Sequence, residues 1–123
     1  MNSIMPGATA RSPLVSFSNV LPMELHELEE RMHAFVQSKG WYAEDSPKPQ
    51  TPHNVAISLA LEASEVLEHF QWQTEVRDKE ALAGELADVA LYLLQLASIT
   101  DIDLERAILE KLAENQEREW PEP

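Results

Sequence analysis

The chain of 123 residues has the length of one small domain and is strongly acidic, with 9 Lys and Arg against 22 Asp and Glu and a formal net charge of −13. This charge repels phosphate backbones, so we expect no binding to nucleic acid, and a phosphorylated ligand would need a cation as intermediary. The absence of Cys excludes disulfides, thiolate metal sites and a cysteine nucleophile. No apolar run is long enough to predict a membrane partner, and we expect a cytoplasmic protein.

The first segment of the chain differs in composition from the rest. Residues 1–23 contain no Asp or Glu and one basic residue, Arg11, while Ser, Ala and Pro are prominent. The segment has no long apolar stretch, which argues against a secretory signal. We therefore predict a flexible arm over residues 1–20 and a single domain over residues 21–121.

Beyond the arm, the apolar residues recur with helical spacing, and the sequence has no Asn-Gly or Asp-Gly hairpin signal. Gly40 marks the end of the first predicted helix, Thr51 and Pro52 the start of the second, and Pro121 follows the last. The pattern predicts four helices at residues 22–38, 52–72, 78–99 and 101–118. Because their connections are short, we expect an all-α, four-helix antiparallel bundle.

A polar stripe runs along each of the two middle helices. At about 100° per residue, the stripe of the second helix lies between apolar flanks and contains Asn54, Ser58, Glu62, Glu65, His69 and Trp72. The stripe of the third helix contains Glu85, Asp88, Tyr92 and Gln95. Each helix therefore presents two acids, spaced i and i+3, among core positions.

Four clustered carboxylates cannot all stay ionised in an apolar crevice, because neighbouring like charges raise one another's pKa. A divalent cation removes this penalty, and oxygen ligands without thiolate predict Mg²⁺, with Mn²⁺ as a possible substitute. The alternative is a solvated helix face, although the second acid pair argues against it. A di-iron site would need Glu-x-x-His on two helices, and Glu30-x-x-His33 supplies it once.

The acid motifs also carry a resemblance. Glu62-x-x-Glu65 followed by Glu85-x-x-Asp88 is similar to the metal signature of the MazG-like all-α nucleotide pyrophosphohydrolases. The chain resembles in particular their dCTP pyrophosphatase branch, over roughly residues 16 to 121. The matching stretches include Ser16-Phe17-Ser18, Phe70-Gln71-Trp72, Asp103-Leu104 and Trp120-Pro121.

The resemblance implies an enzyme that hydrolyses a (deoxy)nucleoside triphosphate, dCTP or a modified pyrimidine nucleotide, to the monophosphate and pyrophosphate. Its metal ligands would be Glu62, Glu65, Glu85 and Asp88, with Glu62 also taking a proton from the attacking water. The substrate-binding residues that the resemblance implies are His33, Trp41, Asn54, Trp72, Tyr92, Lys111 and Asn115. His33, Trp41 and Trp72 would surround the base. Tyr92 would lie against the sugar or base, and Lys111 and Asn115 would contact the phosphates.

Other interpretations stay open at this point. The two tryptophans could be core aromatics, and His33, Lys111 and Asn115 could be ordinary surface residues. The protein could also be a non-catalytic nucleotide-binding regulator or a helical oligomerisation module. Apolar residues occupy nearly all faces of the middle helices outside the acidic stripe, which predicts a homo-oligomer, a dimer or a tetramer.

Overall fold

The computed structural model of the protein describes residues 23–121, and this part of the chain forms four α-helices and no strand. The helices are α1 (Leu25–Ser38), α2 (Pro52–Glu68), α3 (Lys79–Ile99) and α4 (Leu104–Glu117). The predicted all-α fold is confirmed. The arm predicted over residues 1–20 lies outside the described residues and stays a prediction.

Side-chain caps explain where three of the helices begin. Thr51 Oγ1 accepts the amide of Asn54 at 3.1 Å, and Pro52 follows it at the first helical position, as predicted. Asp78 and Asp103 accept amides three residues ahead of them in the same way, at 2.9 Å and 3.1 Å. These bonds satisfy backbone donors that the first turn of a helix leaves without a partner.

Three helix ends lie three or more residues from their predicted positions. Helix α1 begins at Leu25 rather than at residue 22. Helix α2 ends at Glu68 rather than at Trp72, because the amides of His69, Phe70 and Gln71 each bond to a carbonyl three residues earlier and tighten the chain into a turn. Helix α4 begins at Leu104 rather than at residue 101. Asp101 has a φ of 61°, in the left-handed region, which interrupts the chain between α3 and α4.

Helix α3 is central, because it contacts each of the other three helices. Two residue pairs fix the direction of α2 relative to α3. Gln50, just ahead of α2, bonds Gln95 near the end of α3, while Glu62, further along α2, lies near Glu85, earlier in α3. Residue numbers therefore rise along α2 as they fall along α3, so the two helices are antiparallel. The apolar core fills the space between them and α1 and contains Met32, Val36, Val55, Tyr92, Leu94 and Ala97.

Two further properties of α3 concern its surroundings. Glu62 on α2 and Asp88 and Gln95 on α3 are buried although they are polar, so these parts of the predicted polar stripes face the interior, whereas Asn54 and Trp72 at the two ends of the α2 stripe are exposed. By length and composition alone, α3 could also cross a membrane, as could the core helix of many water-soluble proteins. The absence of a membrane partner stays a prediction.

Candidate active site

Three glutamates meet where the polar stripes of α2 and α3 face each other. Carboxylate oxygens of Glu62, Glu65 and Glu85 lie within 4.8 Å of one another. Asp88, the fourth predicted ligand, is 2% exposed and lies outside this trio, but it is near enough to act on the pKa of Glu62 and Glu85. The i, i+3 spacing explains the cluster, because it places both acids of each helix on the same face.

Several oxygens of this acid cluster have no hydrogen bond. Both carboxylate oxygens of Glu62, which is fully buried, and Oε2 of Glu85 lack a partner among the described residues. Buried carboxylate oxygens in proteins are nearly always paired with a donor or a metal ion. An oxygen-only donor set with unpaired oxygens fits a hard divalent cation, so the residues present suit the predicted metal.

The titration of the cluster reflects the same crowding. Burial raises the pKa of Glu62 from its ordinary value of 4.5 to about 7, and the carboxylates of Glu65 and Asp88 act in the same direction. Burial also raises the pKa of Glu85, again assisted by Glu65 and Asp88. Near neutral pH a cation that replaces the protons of the cluster would therefore stabilise its ionised carboxylates.

A cavity of about 340 Å³ lies near the acid cluster, and its volume is within the range of sites for small molecules, roughly 300–1,000 Å³. It lies between α2, α3 and the loop of residues 41–51. Tyr92 joins the two regions: it lines the cavity, and its pKa is raised to about 12 by burial and by the charge of Glu62. Ser58, also in the lining, lies one helical turn before Glu62. The acids and the cavity are thus neighbours across Tyr92, although no acid of the described chain lines the cavity itself.

Three of the seven predicted substrate-binding residues line this cavity, namely Trp41, Asn54 and Tyr92. The Trp41 ring packs edge-on against Phe35, with centroids 5.8 Å apart, and the Lys48 ammonium lies 5.0 Å from its centroid. An aromatic ring in this position could stack on a flat base.

The structure does not bring the other four to the cavity lining. His33 lies behind it, bonded to the Tyr42 hydroxyl and to Ser98 Oγ, each at 2.6 Å. The Trp72 side chain is 88% exposed beyond the end of α2. Lys111 and Asn115 are on α4, where Lys111 pairs with Glu114 at 3.4 Å. The roles of these four residues stay predictions from the resemblance.

Four polar residues of the cavity lining were not predicted as site residues, and they are Lys48, Gln50, Ser58 and Gln95. Ser58 and Gln95 were already members of the polar stripes, so their shared face with the acids was the signal. No such signal existed for the other two, because residues 41–51 form a loop without helical periodicity.

Comparison with known proteins shows the family of the chain. The sequence pattern of the MazG-like family matches residues 57–122, the segment that contains both acid pairs. The chain belongs to the MazG-like family. Among its MazG-like relatives, dCTP pyrophosphatase 1 of Homo sapiens is 34% identical and that of Rattus norvegicus 32%. Each match covers 72% of this chain and 55% of the relative, so the chain spans about half the length of the curated relatives it matches.

A solved structure extends the match to the fold. A pyrophosphatase from Archaeoglobus fulgidus superposes with a TM-score of 0.67 at 32% sequence identity, covering 85% of this chain and 98% of that one. The resemblance to the MazG-like dCTP pyrophosphatase branch, stated from the acid motifs, is thereby confirmed.

Proposed function

We propose that this MazG-like protein is a nucleoside triphosphate pyrophosphohydrolase, which releases pyrophosphate and a nucleoside monophosphate. The proposed substrate is dCTP or a modified pyrimidine deoxynucleotide, so the activity would remove unwanted nucleotides from the cytoplasmic pool. The names of the relatives support the class of reaction. A single observation on this chain carries the proposal: a cluster of acids with unpaired oxygens lies beside a cavity that is large enough for part of a nucleotide, and Tyr92 borders both.

Acids at one end and a partly aromatic cavity at the other match the two ends of a nucleotide. The cavity would take the base against Trp41 and Tyr92, and the triphosphate would extend toward the acids. Glu62, Glu65, Glu85 and Asp88 would hold Mg²⁺, or Mn²⁺ in its place, which supplies charge neutralisation on the phosphate oxygens. Without such a cation, the acids would repel the triphosphate, since the chain as a whole carries a formal charge of −13.

Glu62 is the proposed proton acceptor. In the reaction, a water oxygen bonds to the α-phosphorus, the bond from that phosphorus to the bridging oxygen breaks, and pyrophosphate leaves. The water loses a proton, and the carboxylate oxygens of Glu62 are free to take it because they have no hydrogen-bond partner among the described residues. Because Glu62 is fully buried, its carboxylate is also shielded from bulk water.

A panel of nucleoside triphosphates, incubated with millimolar Mg²⁺ and assayed for pyrophosphate, tests the proposal. We expect release from at least one pyrimidine deoxynucleotide and at least a hundredfold loss of kcat in Glu65→Gln and Glu85→Gln. Glu68→Gln is the matched control, because Glu68 is an exposed acid on the same helix and lies outside the acid trio. It should keep the parent's activity.

The outcomes separate the alternative functions. Nucleotide binding without pyrophosphate release would favour a non-catalytic regulator. A lack of both binding and release, together with stable self-association, would favour an oligomerisation module. If Glu65→Gln and Glu85→Gln hydrolysed substrate as well as Glu68→Gln does, the acid cluster would not be the active site.

A further inference from the structure

Gln95 is a buried amide that lines the cavity. It is 1% exposed and lies on the same stripe of α3 as Asp88 and Tyr92. Its Nε2 donates to the Tyr42 hydroxyl at 3.2 Å and to Gln50 Oε1 at 2.8 Å. Both amide hydrogens are then used, and Oε1 of Gln95 has no hydrogen-bond partner in the described part of the chain.

The orientation of this amide follows from a backbone carbonyl. Gln50 faces the carbonyl of Lys48 at 2.7 Å, and because a carbonyl can only accept, the nitrogen of Gln50 must point toward it. The oxygen of Gln50 therefore faces Gln95, which must in turn present its nitrogen. Turning either amide over would place two oxygens against each other.

A chain of hydrogen bonds from Gln95 through Tyr42 and His33 to Ser98 supports the same orientation of the Gln95 amide. Since the Tyr42 hydroxyl accepts from Gln95, its own hydrogen is free to go to His33 Nδ1 at 2.6 Å. The other ring nitrogen, Nε2, then carries the hydrogen and donates to Ser98 Oγ at 2.6 Å. In this arrangement every bond in the chain runs one way, and the His33 tautomer with its hydrogen on Nε2 supports the amide as observed.

We infer that Gln95 is a specificity-determining residue, which offers Oε1 as an acceptor to an exocyclic amino group on the edge of the base. This inference rests on the proposed function only in taking the cavity as the base site. Gln50 complements it, because one of its amide hydrogens has no partner in residues 23–121 and can donate to a ring nitrogen next to the amino group. A base with an oxo group and a ring N–H on this edge is disfavoured, because its oxo group would face the acceptor Oε1 of Gln95 and its N–H would face the donor N–H of Gln50. Tyr42 and His33 act as positioning residues.

Binding of two nucleoside monophosphates tests the inference without any turnover. Deoxycytidine and deoxyuridine monophosphates differ on this edge by an amino and an oxo group. With Mg²⁺ present, titration calorimetry should give the amino-bearing nucleotide an affinity about tenfold to a hundredfold higher, the usual effect of leaving buried polar groups unpaired. Gln95→Met keeps the side-chain volume and removes the acceptor, so the two affinities should come within about twofold of each other. Gln73→Met is the matched control, since Gln73 is a hydrogen-bonded amide outside the cavity and should leave the preference unchanged.

Tyr42→Phe keeps the test valid if Gln95→Met fails to fold. It removes one hydroxyl, so the preference for the amino group should fall at least threefold while the melting curve stays cooperative. Nitrogen NMR of the His33 ring should show hydrogen on Nε2 in the parent and a mixture of tautomers in the variant, a signature that a purely structural tyrosine would not produce.

Three results would overturn the inference: equal binding of both nucleotides by the parent, an unchanged preference in Gln95→Met, or no binding of either nucleotide. The proposed function is judged separately. Pyrophosphate release could be found in a protein without this preference, and the preference could be found in a protein that releases no pyrophosphate.

Discussion

Glu62 combines full burial with a carboxylate that has no hydrogen-bond partner in the described chain, and this makes its protonation a feature of the folded state. In the unfolded chain its pKa returns to about its ordinary value of 4.5, whereas in the folded protein it is about 7. Between these two pH values the folded chain keeps a proton that the unfolded chain has lost. The free energy of unfolding therefore decreases as pH rises through this window.

The first prediction concerns this pH dependence. In metal-free buffer, the melting temperature of the parent should fall as pH rises from about 4.5 to 7, and the fall should be smaller in Glu62→Gln, whose amide does not titrate. Millimolar Mg²⁺ should raise the melting temperature, and by more at pH 8 than at pH 5.5, because Mg²⁺ and protons compete for the same oxygens. Thermal scans across pH, with and without EDTA, measure both effects. Equal stabilisation by Mg²⁺ at all pH values would contradict the assignment of the acids as ligands.

The second prediction compares two tryptophans. Trp41 lines the cavity, so Trp41→Ala should raise KM for the best substrate about tenfold to a hundredfold, which corresponds to the loss of one stacking contact of about 1–3 kcal/mol. The effect on kcat should be smaller, because the base lies away from the α-phosphorus. Trp72, 88% exposed and absent from the lining, should show the smaller change in KM when replaced by Ala. Steady-state kinetics of both variants decide which ring holds the base.

These residues also show how far the sequence could predict the site. The acids were predictable because helical geometry fixes which residues share a face, and Glu62, Glu65 and Glu85 do meet. The cavity was predictable only in part. Gln50 reaches Gln95 across 45 positions through a loop whose path depends on tertiary packing, and no local pattern encodes that contact.

At the scale of helices, the sequence predicted each element, and capping chemistry explains why the start of α2 was predicted correctly. Thr51 and Pro52 define the start of α2 through bonds that local sequence supplies. The end of α2 had no comparable signal, since the apolar pattern continues to Trp72 while the backbone turns after Glu68. Helix ends of this kind depend on where the next helix must go, and short-range propensity does not determine that.

The third prediction uses two glycines that differ in backbone conformation. A Cβ added at Gly84, inside α3, would meet nothing within 4 Å, so Gly84→Ala should stabilise the fold by roughly 0.5–1 kcal/mol through higher helix propensity. Gly40 has the same free space but a φ of +73°, so Gly40→Ala should destabilise the fold by about 1 kcal/mol. Urea unfolding followed by circular dichroism measures both. If both variants shifted stability in the same direction, backbone conformation would not be the deciding factor.

At the scale of the whole molecule, the described chain leaves much apolar surface uncovered. Only 28% of the apolar stretch of α3 is buried, although this helix is the centre of the fold. Large apolar side chains that are more than 40% exposed occur on all four helices and include Leu28, Ile57, Leu61, Leu86, Leu93, Ile108 and Leu109. Where such side chains adjoin one another, as they can along one face of a helix, the surface usually marks a site of association. The net charge of −13 opposes non-specific aggregation, so we expect a specific contact between copies to cover the exposed apolar surface.

The fourth prediction is that the protein forms a homo-oligomer, a dimer or a tetramer, in which α2 and α3 of neighbouring copies cover each other. Leu86 and Leu93 are two helical turns apart on α3 and are 51% and 41% exposed, so they form one row on one face. Leu86→Glu and Leu93→Glu each place a charge in that row and should dissociate the assembly, because burying an unpaired carboxylate is costly. Gln37→Glu is the control, since it adds the same charge at an exposed polar position on α1 and should leave the mass unchanged. Sedimentation equilibrium at micromolar concentration gives the result: a parent mass near 13.9 kDa would contradict the prediction, and a parent oligomer that survives both leucine variants would place the contact on another face.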